Sequence, residues 1–91
     1  MLLIEADIVN YVPVSLKGMV KEAESNRPIG KASLYILYDD LPVSSNKEGF
    51  FGVHTWQNFP LTIVAEHPEY QRQEVVVSDS QSPVIIDLKH K

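Results

Sequence analysis

The stretch SSNKEGFFGV, residues 44–53, carries side chains spaced like those of a metal-binding loop. Ser44, Asn46 and Glu48 place an oxygen at every second position, and Gly49 follows at once. A calcium loop of the EF-hand kind needs carboxylates at its first positions and a glutamate at the twelfth, which this stretch lacks. We therefore interpret it as a hairpin turn, in which Gly49 takes a positive φ and Asn46 bonds to the backbone two residues on.

The other side chains with catalytic or metal-binding chemistry lack the partners that such chemistry needs. His54, His67 and His90 are not spaced as metal ligands, and the HExxH pattern is absent. The serines lie in turn-rich segments without the G-x-S-x-G elbow of a nucleophile. The absence of cysteine removes thiolates and disulfides. The sequence predicts no catalytic residue, metal site or cofactor, and a calcium contact through Asp39, Asp40 or Glu48 is a minor alternative.

Composition places the chain among small folded domains. With 91 residues it has room for one modest core, and 44% hydrophobic with 22% charged residues is ordinary for such a domain. The net charge is −4 and lysine and arginine form no cluster, so nucleic acid is not an expected partner. No apolar run approaches membrane-spanning length, so we expect no direct membrane insertion, and the N-terminus lacks the basic start of a signal peptide.

Short runs rich in β-branched, leucine and aromatic residues alternate with turn residues, whereas helical periodicity is nearly absent. The predicted strands are 15–21, 32–38, 49–56, 61–66, 73–78 and 84–89, with a further strand at 2–9 or 42–45. Six or seven short strands separated by frequent turns are typical of an antiparallel sandwich or barrel.

The period of two along each run assigns one face to the core and the other to solvent. The residues predicted to lead the core are Leu16, Val20, Ala32, Leu34, Ile36, Phe51, Val53, Leu61, Ile63, Ile86 and Leu88. Phe50, His54 and Trp56 fall on the outward face, and we expect Tyr35 on the outer face of a neighbouring strand. Exposed aromatic area can mark a partner surface, so these four residues are the predicted ligand or partner surface. Coverage by the segment LLIEADIV (2–9) is the alternative.

Four short motifs follow one another in order along the chain. They are Gly18-Met19-Val20, RPIGKASL (27–34), SNKEGFF (45–51), and LTIVA (61–65) with Glu69-Tyr70. In this order they resemble the carboxypeptidase regulatory-like domain, over roughly residues 15–89. The chain then divides into an N-terminal extension or extra strand, 1–14, and the domain proper, 15–91. Ser45 stands where the family usually has threonine, and Glu69 stands where it has glycine before Tyr70.

The resemblance implies an all-β, seven-strand antiparallel Greek-key sandwich of the prealbumin-like (transthyretin-like) kind. It implies a non-catalytic accessory domain, a spacer or docking module of a larger secreted, periplasmic or cell-surface protein. The expected partners are the other domains of that protein, and the expected location is extracytoplasmic. The hydrolase that shares the transthyretin-like fold needs a C-terminal Tyr-Arg-Gly-Ser, whereas this chain ends Ile-Asp-Leu-Lys-His-Lys.

Two other functions stand as hypotheses. A carbohydrate- or peptide-binding module would use the exposed aromatic strip. A domain of the collagen-adhesin kind would form an isopeptide bond, because TIVAEHPEY (62–70) is similar to the strand that carries a catalytic glutamate in that family. Its candidates here are Lys17, Glu66 and Asp87. Alternation places Lys17 and Asp87 toward solvent, which disfavours a bond that forms in a core.

Overall fold

Seven β-strands form two sheets that pack face to face, over the residues that the computed structural model describes, 14–39, 41–80 and 83–91. The strands are β1 (Val14–Glu22), β2 (Ser33–Ile36), β3 (Val43–Ser44), β4 (Phe50–Thr55), β5 (Leu61–His67), β6 (Tyr70–Val77) and β7 (Val84–Leu88). Runs rich in β-branched and aromatic residues form strands because such side chains pack well on a pleated surface. The all-β, seven-strand sandwich that the sequence predicts is confirmed.

The three-stranded sheet has the order β4-β1-β7, and the four-stranded sheet has the order β3-β2-β5-β6. Every neighbouring pair is antiparallel except β1 and β7, which run parallel. This pair departs from the expected antiparallel arrangement because β6 returns the chain to the end of the sandwich at which β1 began. We call that end, where β1 begins at Val14 and β4 ends at Thr55, the upper end. At the lower end β1 finishes at Glu22 and β6 begins at Tyr70.

The core lies between the sheets and consists of the inward residues of each strand. All the residues predicted to lead it are buried, and Leu34 and Ile86 are 0% exposed. Ile29, Val77 and Val84 extend the core beyond the prediction. Full burial of a large apolar side chain stabilises a fold by about 1.5–3 kcal/mol, so this layer is the main source of stability.

Most strand boundaries lie within one residue of the prediction, but β6 begins three residues earlier than predicted, at Tyr70, and β2 is shortened. The run 32–38 forms a shorter strand, β2, because the chain turns at Tyr38, whose φ is 78°. The further strand is β3, which lies within the predicted range 42–45. The alternative strand near the N-terminus lies outside the described residues, as does the predicted extension 1–14 apart from Val14, which begins β1.

The loop between β3 and β4 has the turn chemistry that the sequence predicts. Oδ1 of Asn46 accepts hydrogen bonds from the backbone N–H of Glu48 at 3.0 Å and of Phe50 at 2.9 Å. Gly49 has a φ of 81°, and Phe51 enters the core directly afterwards. The predicted hairpin is wrong, however, because β3 and β4 belong to different sheets and the loop carries the chain across the sandwich.

β1 approaches its neighbours at Gly18 more closely than a side chain would permit. A Cβ at this position would collide with the carbonyl oxygen of Val84 and would lie 2.6 Å from the ring of Phe51. The carbonyl belongs to the backbone of β7, so it can move only if the sheet moves. Glycine is therefore required here by the packing of β1 against β4 and β7.

We predict that Gly18→Ala lowers the free energy of unfolding by about 3 kcal/mol, because the added methyl group meets backbone as well as an aromatic ring. Gly52→Ala on β4 is the matched control, since its Cβ would meet only the carbonyl oxygen of Leu16, at 3.8 Å. We expect the control to change stability by no more than about 0.5 kcal/mol. Equal losses for the two variants in urea denaturation would contradict the prediction.

Candidate binding surface

The outer face of the three-stranded sheet carries a row of apolar side chains that crosses all three strands. Met19 on β1 lies opposite Phe50 on β4 and opposite Ile85 on β7. Phe50 is 55% exposed and Ile85 is 50% exposed. We call Phe50, Met19 and Ile85 the outer row; together with Pro83 they line a depression of about 400 Å³. The sequence predicts Phe50 for this surface, whereas Met19 and Ile85 become its neighbours only through strand pairing.

Lysine side chains flank the outer row on β1. Lys17 and Lys21 share its face of β1, on either side of Met19, and Lys89 is exposed just beyond the end of β7, about 13 Å along the chain from Ile85. Among the outward residues of the three strands Asp87 is the one acidic side chain, and its Oδ1 lies 3.5 Å from Nζ of Lys21; Glu48 is exposed in the turn before β4, two positions from Phe50. The chain as a whole carries a net charge of −4, so this face is locally basic on an acidic protein.

His54 and Trp56 continue the same face of β4 toward the upper end. Ser15 is the cross-strand partner of His54, and its Oγ lies 2.8 Å from Nδ1 of the ring, so a local hydrogen bond holds the imidazole. Gly52 lies between His54 and Phe50 and leaves the sheet surface bare at that point. Among the residues that the structure describes, no three His, Cys, Asp or Glu side chains come together as metal ligands.

Trp56 is presented beside another exposed aromatic residue, Tyr38, at the upper end. Trp56 is 68% exposed and Tyr38 is 88% exposed. The residues that flank Trp56 are bonded to the residues that flank Tyr38: Thr55 Oγ1 donates to Asp39 Oδ2 at 2.7 Å, and Gln57 Nε2 donates to the carbonyl oxygen of Leu37 at 3.0 Å. The two loops are thus fixed side by side, and we call Tyr38 and Trp56 the upper aromatic pair.

Tyr38 has a backbone conformation that tyrosine rarely adopts. Its φ is 78°, and the N–H of Asp39 closes the turn by donating to the carbonyl oxygen of Ile36 at 2.9 Å. The third position of such a turn needs a positive φ and usually holds glycine. A residue with a Cβ costs roughly 1–2 kcal/mol there. The turn exposes a large ring at a cost in stability, and backbone strain of this kind clusters at ligand-binding sites.

Tyr35 does not share the surface on which the sequence places it. Its strand, β2, does not neighbour β4, because β2 pairs with β3 and β5 in the other sheet. Tyr35 therefore lies on the opposite outer face of the sandwich, across from Val64 on β5. It shares a hydrogen bond with Arg72, and Val64 beneath them is 0% exposed. The role of Tyr35 in the structure is to cover the four-stranded sheet.

A hydrogen-bonded cluster at the lower end joins the two sheets. Glu22 on β1 accepts hydrogen bonds at Oε2 from the hydroxyl of Tyr70, at 2.7 Å, and from Nε2 of His90, at 2.9 Å. Its Oε1 accepts a hydrogen bond from Ser25 at 2.7 Å. The rings of Tyr70 and His90 stack with their centroids 4.4 Å apart. Because both carboxylate oxygens already have protein partners, we interpret the cluster as a brace between the sheets.

Sequence reasoning missed this brace because its members are distant along the chain. Tyr70 lies 48 residues from Glu22, and His90 lies 68 residues from it. The only signal available in the sequence is Tyr70 itself, which ends the last of the motifs that resemble the carboxypeptidase regulatory-like domain. The resemblance marks that tyrosine but does not identify its partner.

The residues considered for an isopeptide bond lie apart. Asp87 is opposite Lys21, four positions beyond Lys17 on β1, or about 13 Å away at the rise of a β-strand. Glu66 lies on the other sheet, where its Oε2 is 3.3 Å from Nε of Arg72. Lys17 and Asp87 are exposed, so the arrangement lacks the buried, adjacent pair that this chemistry requires.

Two comparisons by sequence find no match: no protein-family model matches the chain, and no curated protein matches it. In the part of the chain that the structure describes, no helix is long and apolar enough to cross a membrane. The function therefore has to be argued from the residues and surfaces described above.

The hydrogen bonds from Tyr70, Ser25 and His90 lower the pKa of Glu22 from 4.5 to about 2. A depressed carboxyl pKa contributes stability that is fully present above the ordinary pKa and is lost as the pH falls through the folded-state value. We therefore predict that Glu22→Gln destabilises the protein most above pH 4.5, and that the difference from the wild type shrinks as the pH falls toward about 2.

Urea denaturation at a series of pH values measures this difference. Glu24→Gln is the control, because Glu24 is an exposed carboxylate two residues beyond Glu22, in the turn that follows β1. The control is expected to follow the wild-type pH profile. A stability difference between Glu22→Gln and the wild type that stays constant across the acid range would show that the carboxylate charge of Glu22 is not what holds the brace.

Proposed function

We propose that this chain is a non-catalytic accessory domain of the carboxypeptidase regulatory-like kind, a spacer or docking module of a larger secreted, periplasmic or cell-surface protein. The observation that carries the proposal is that the motif residues make packing contacts and hydrogen bonds within the sandwich. The exposed apolar side chains lie on other surfaces. The partners are other domains of the same protein. The two-sheet, seven-strand sandwich agrees with the fold that the resemblance implies.

The first and third motifs both supply packing contacts. Gly18 permits the close approach of β1 and β7. Ser45 is 5% exposed; its Oγ donates to the carbonyl oxygen of Ile29 at 2.7 Å and accepts from the N–H of Ala32 at 3.0 Å. The threonine that is usual in the family has the same hydroxyl, so this departure preserves the hydrogen bonds.

The remaining motifs have similar roles. Ala32 and Ala65 are buried between the sheets at 0% exposure. Tyr70 donates the hydrogen bond that ties β6 to Glu22 on β1. Glu69 stands where the family has glycine. It lies in a two-residue turn, and its backbone N–H donates a hydrogen bond to Nδ1 of His67 at 3.1 Å. The signature thus encodes a rigid sandwich, which suits a spacer or docking module.

A second candidate function is carbohydrate binding, and the upper aromatic pair is the observation that favours it. Tyr38 and Trp56 are presented from two loops that hydrogen bonds hold together. Aromatic rings offer rigid contact area at a low entropic cost, and they stack on the apolar faces of ligands. The strained φ of Tyr38 indicates that the exposed ring is kept despite its cost in stability.

The accessory-domain proposal predicts where the chain occurs in its source cells. An antibody against the 91-residue chain should detect a protein well above 10.3 kDa in an extracytoplasmic fraction on immunoblots of fractionated cells. A 10.3 kDa band confined to the cytoplasm would overturn the proposal, because a free cytoplasmic product has no parent protein to serve.

The carbohydrate hypothesis is tested by an amide NMR titration of the full chain with mixed oligosaccharides. If the accessory function is the whole function, no signal shifts. Saturable shifts at Tyr38 and Trp56 that disappear in Trp56→Ala would establish a carbohydrate-binding module instead. Tyr38→Gly is the matched variant, because glycine removes the ring and also relieves the positive φ, so loss of folding does not confuse the result. Calcium in the same titration tests the minor calcium alternative.

A further inference from the structure

We propose that the outer row and the lysines around it form a docking site for an acidic segment of a partner protein that inserts one large apolar side chain. This inference rests on the proposed docking function and adds the chemistry of the partner. The outer row supplies the apolar contact, and Lys17 and Lys89 supply the charge.

The apolar part of the site is built by all three strands. Phe50, Met19 and Ile85 follow one another across neighbouring strands, so the row extends about 10 Å at the usual strand spacing. Phe50 and Ile85 are each exposed by half or more, and the depression of about 400 Å³ lies between them. That volume accepts one large apolar side chain.

Charge identifies the partner as acidic. The protein carries more Asp and Glu than Lys and Arg, 12 against 8, yet the outward positions of β1, β4 and β7 hold Lys17 and Lys21 with Asp87 as the one acidic side chain. Asp87 pairs with Lys21 at 3.5 Å, whereas Lys17 and Lys89 form no ion pair within the described residues. Complementary charge at the rim of an apolar patch steers association and rejects basic partners.

The geometry also sets the spacing that the partner needs. Lys17 lies two positions from Met19 on the same face of β1, which is about 7 Å. Gly52, opposite Lys17, bears no side chain and leaves room for the backbone of a partner beside the lysine. A segment with a carboxylate two residues from a leucine or phenylalanine in an extended conformation matches this arrangement.

The test is fluorescence anisotropy of labelled short peptides with the full 91-residue chain. The probe peptide alternates glutamate with leucine or phenylalanine; one comparison peptide has lysine in place of glutamate, and another has serine in place of the apolar residues. We expect saturable binding of the probe peptide only. Added sodium chloride at about 0.5 M should weaken it, because the lysines are exposed and therefore screened.

Two pairs of variants locate the site. Lys17→Glu should weaken binding about tenfold, whereas Lys31→Glu, the same charge reversal in the β1–β2 loop, should leave it unchanged. Met19→Ser should also weaken binding about tenfold, whereas Val76→Ser, which replaces a valine 66% exposed on the other sheet, should not. Amide spectra of all four variants confirm that each is folded.

Several results would overturn the inference. The inference is wrong if the lysine peptide binds as tightly as the glutamate probe peptide. It is also wrong if Lys17→Glu and Met19→Ser leave the affinity for the probe peptide unchanged. If the probe peptide binds only to a variant that carries Glu5→Lys and Asp7→Lys, the occupant of the site is the acidic, apolar segment 1–13 of the chain itself. If the chain self-associates and Met19→Ser abolishes that association, the occupant of the site is a second copy of the chain. None of these results changes the expected immunoblot, so failure of the docking site is distinguishable from failure of the accessory function.

Discussion

The burial of alternate side chains between two sheets is the interaction on which the rest of the structure depends. β1 is central to it, because this strand pairs with β4 on one side and with the parallel strand β7 on the other. Gly18 lets the three strands come close enough for the ring of Phe51 to pack against backbone. The inward faces are occupied by the core, so any contact with a partner has to be made by the outer faces, the sheet edges or the two ends.

Polar side chains tie the two sheets together at their ends. Glu22 accepts a hydrogen bond from Tyr70 across the lower end, and Thr55 donates one to Asp39 at the upper end. Among the described residues no buried side-chain nitrogen or oxygen lacks a hydrogen-bond partner. A buried polar group without a partner would cost about 1–3 kcal/mol, so these ties fix the relative position of the sheets without weakening the core.

The exposed apolar residues fall into two surfaces with different chemistry. The outer row lies among lysines and suits an acidic protein segment. The upper aromatic pair lies beside Asp39 and is held by loop hydrogen bonds. Because the first surface is part of a sheet and the second is on loops, a change in one leaves the other in place. For the proposed docking function this separation means that a partner bound at one surface would leave the other surface accessible to a ligand.

Most of the strands, the faces they present and the local turn chemistry follow from the amino-acid sequence. Alternation with period two identified Leu34, Ile63 and Ile86 as core, because a β-strand directs successive side chains to opposite sides. The positive φ of Gly49 and the hydrogen bonds of Asn46 followed from residue type alone, because they are local. The outward direction of Phe50 and Trp56 was likewise readable.

Which strands lie next to each other depends on the folded arrangement of the whole chain. Pairing placed Met19 between Phe50 and Ile85, sent Tyr35 to the opposite sheet, and brought Glu22 to Tyr70. These relations depend on how strands far apart in the chain share a common core, and the side-chain pattern of a single strand does not encode its neighbour. The sequence therefore predicts only part of the candidate surface. The direction of each side chain depends on local strand geometry and can be predicted, whereas the residues beside it depend on strand pairing and cannot.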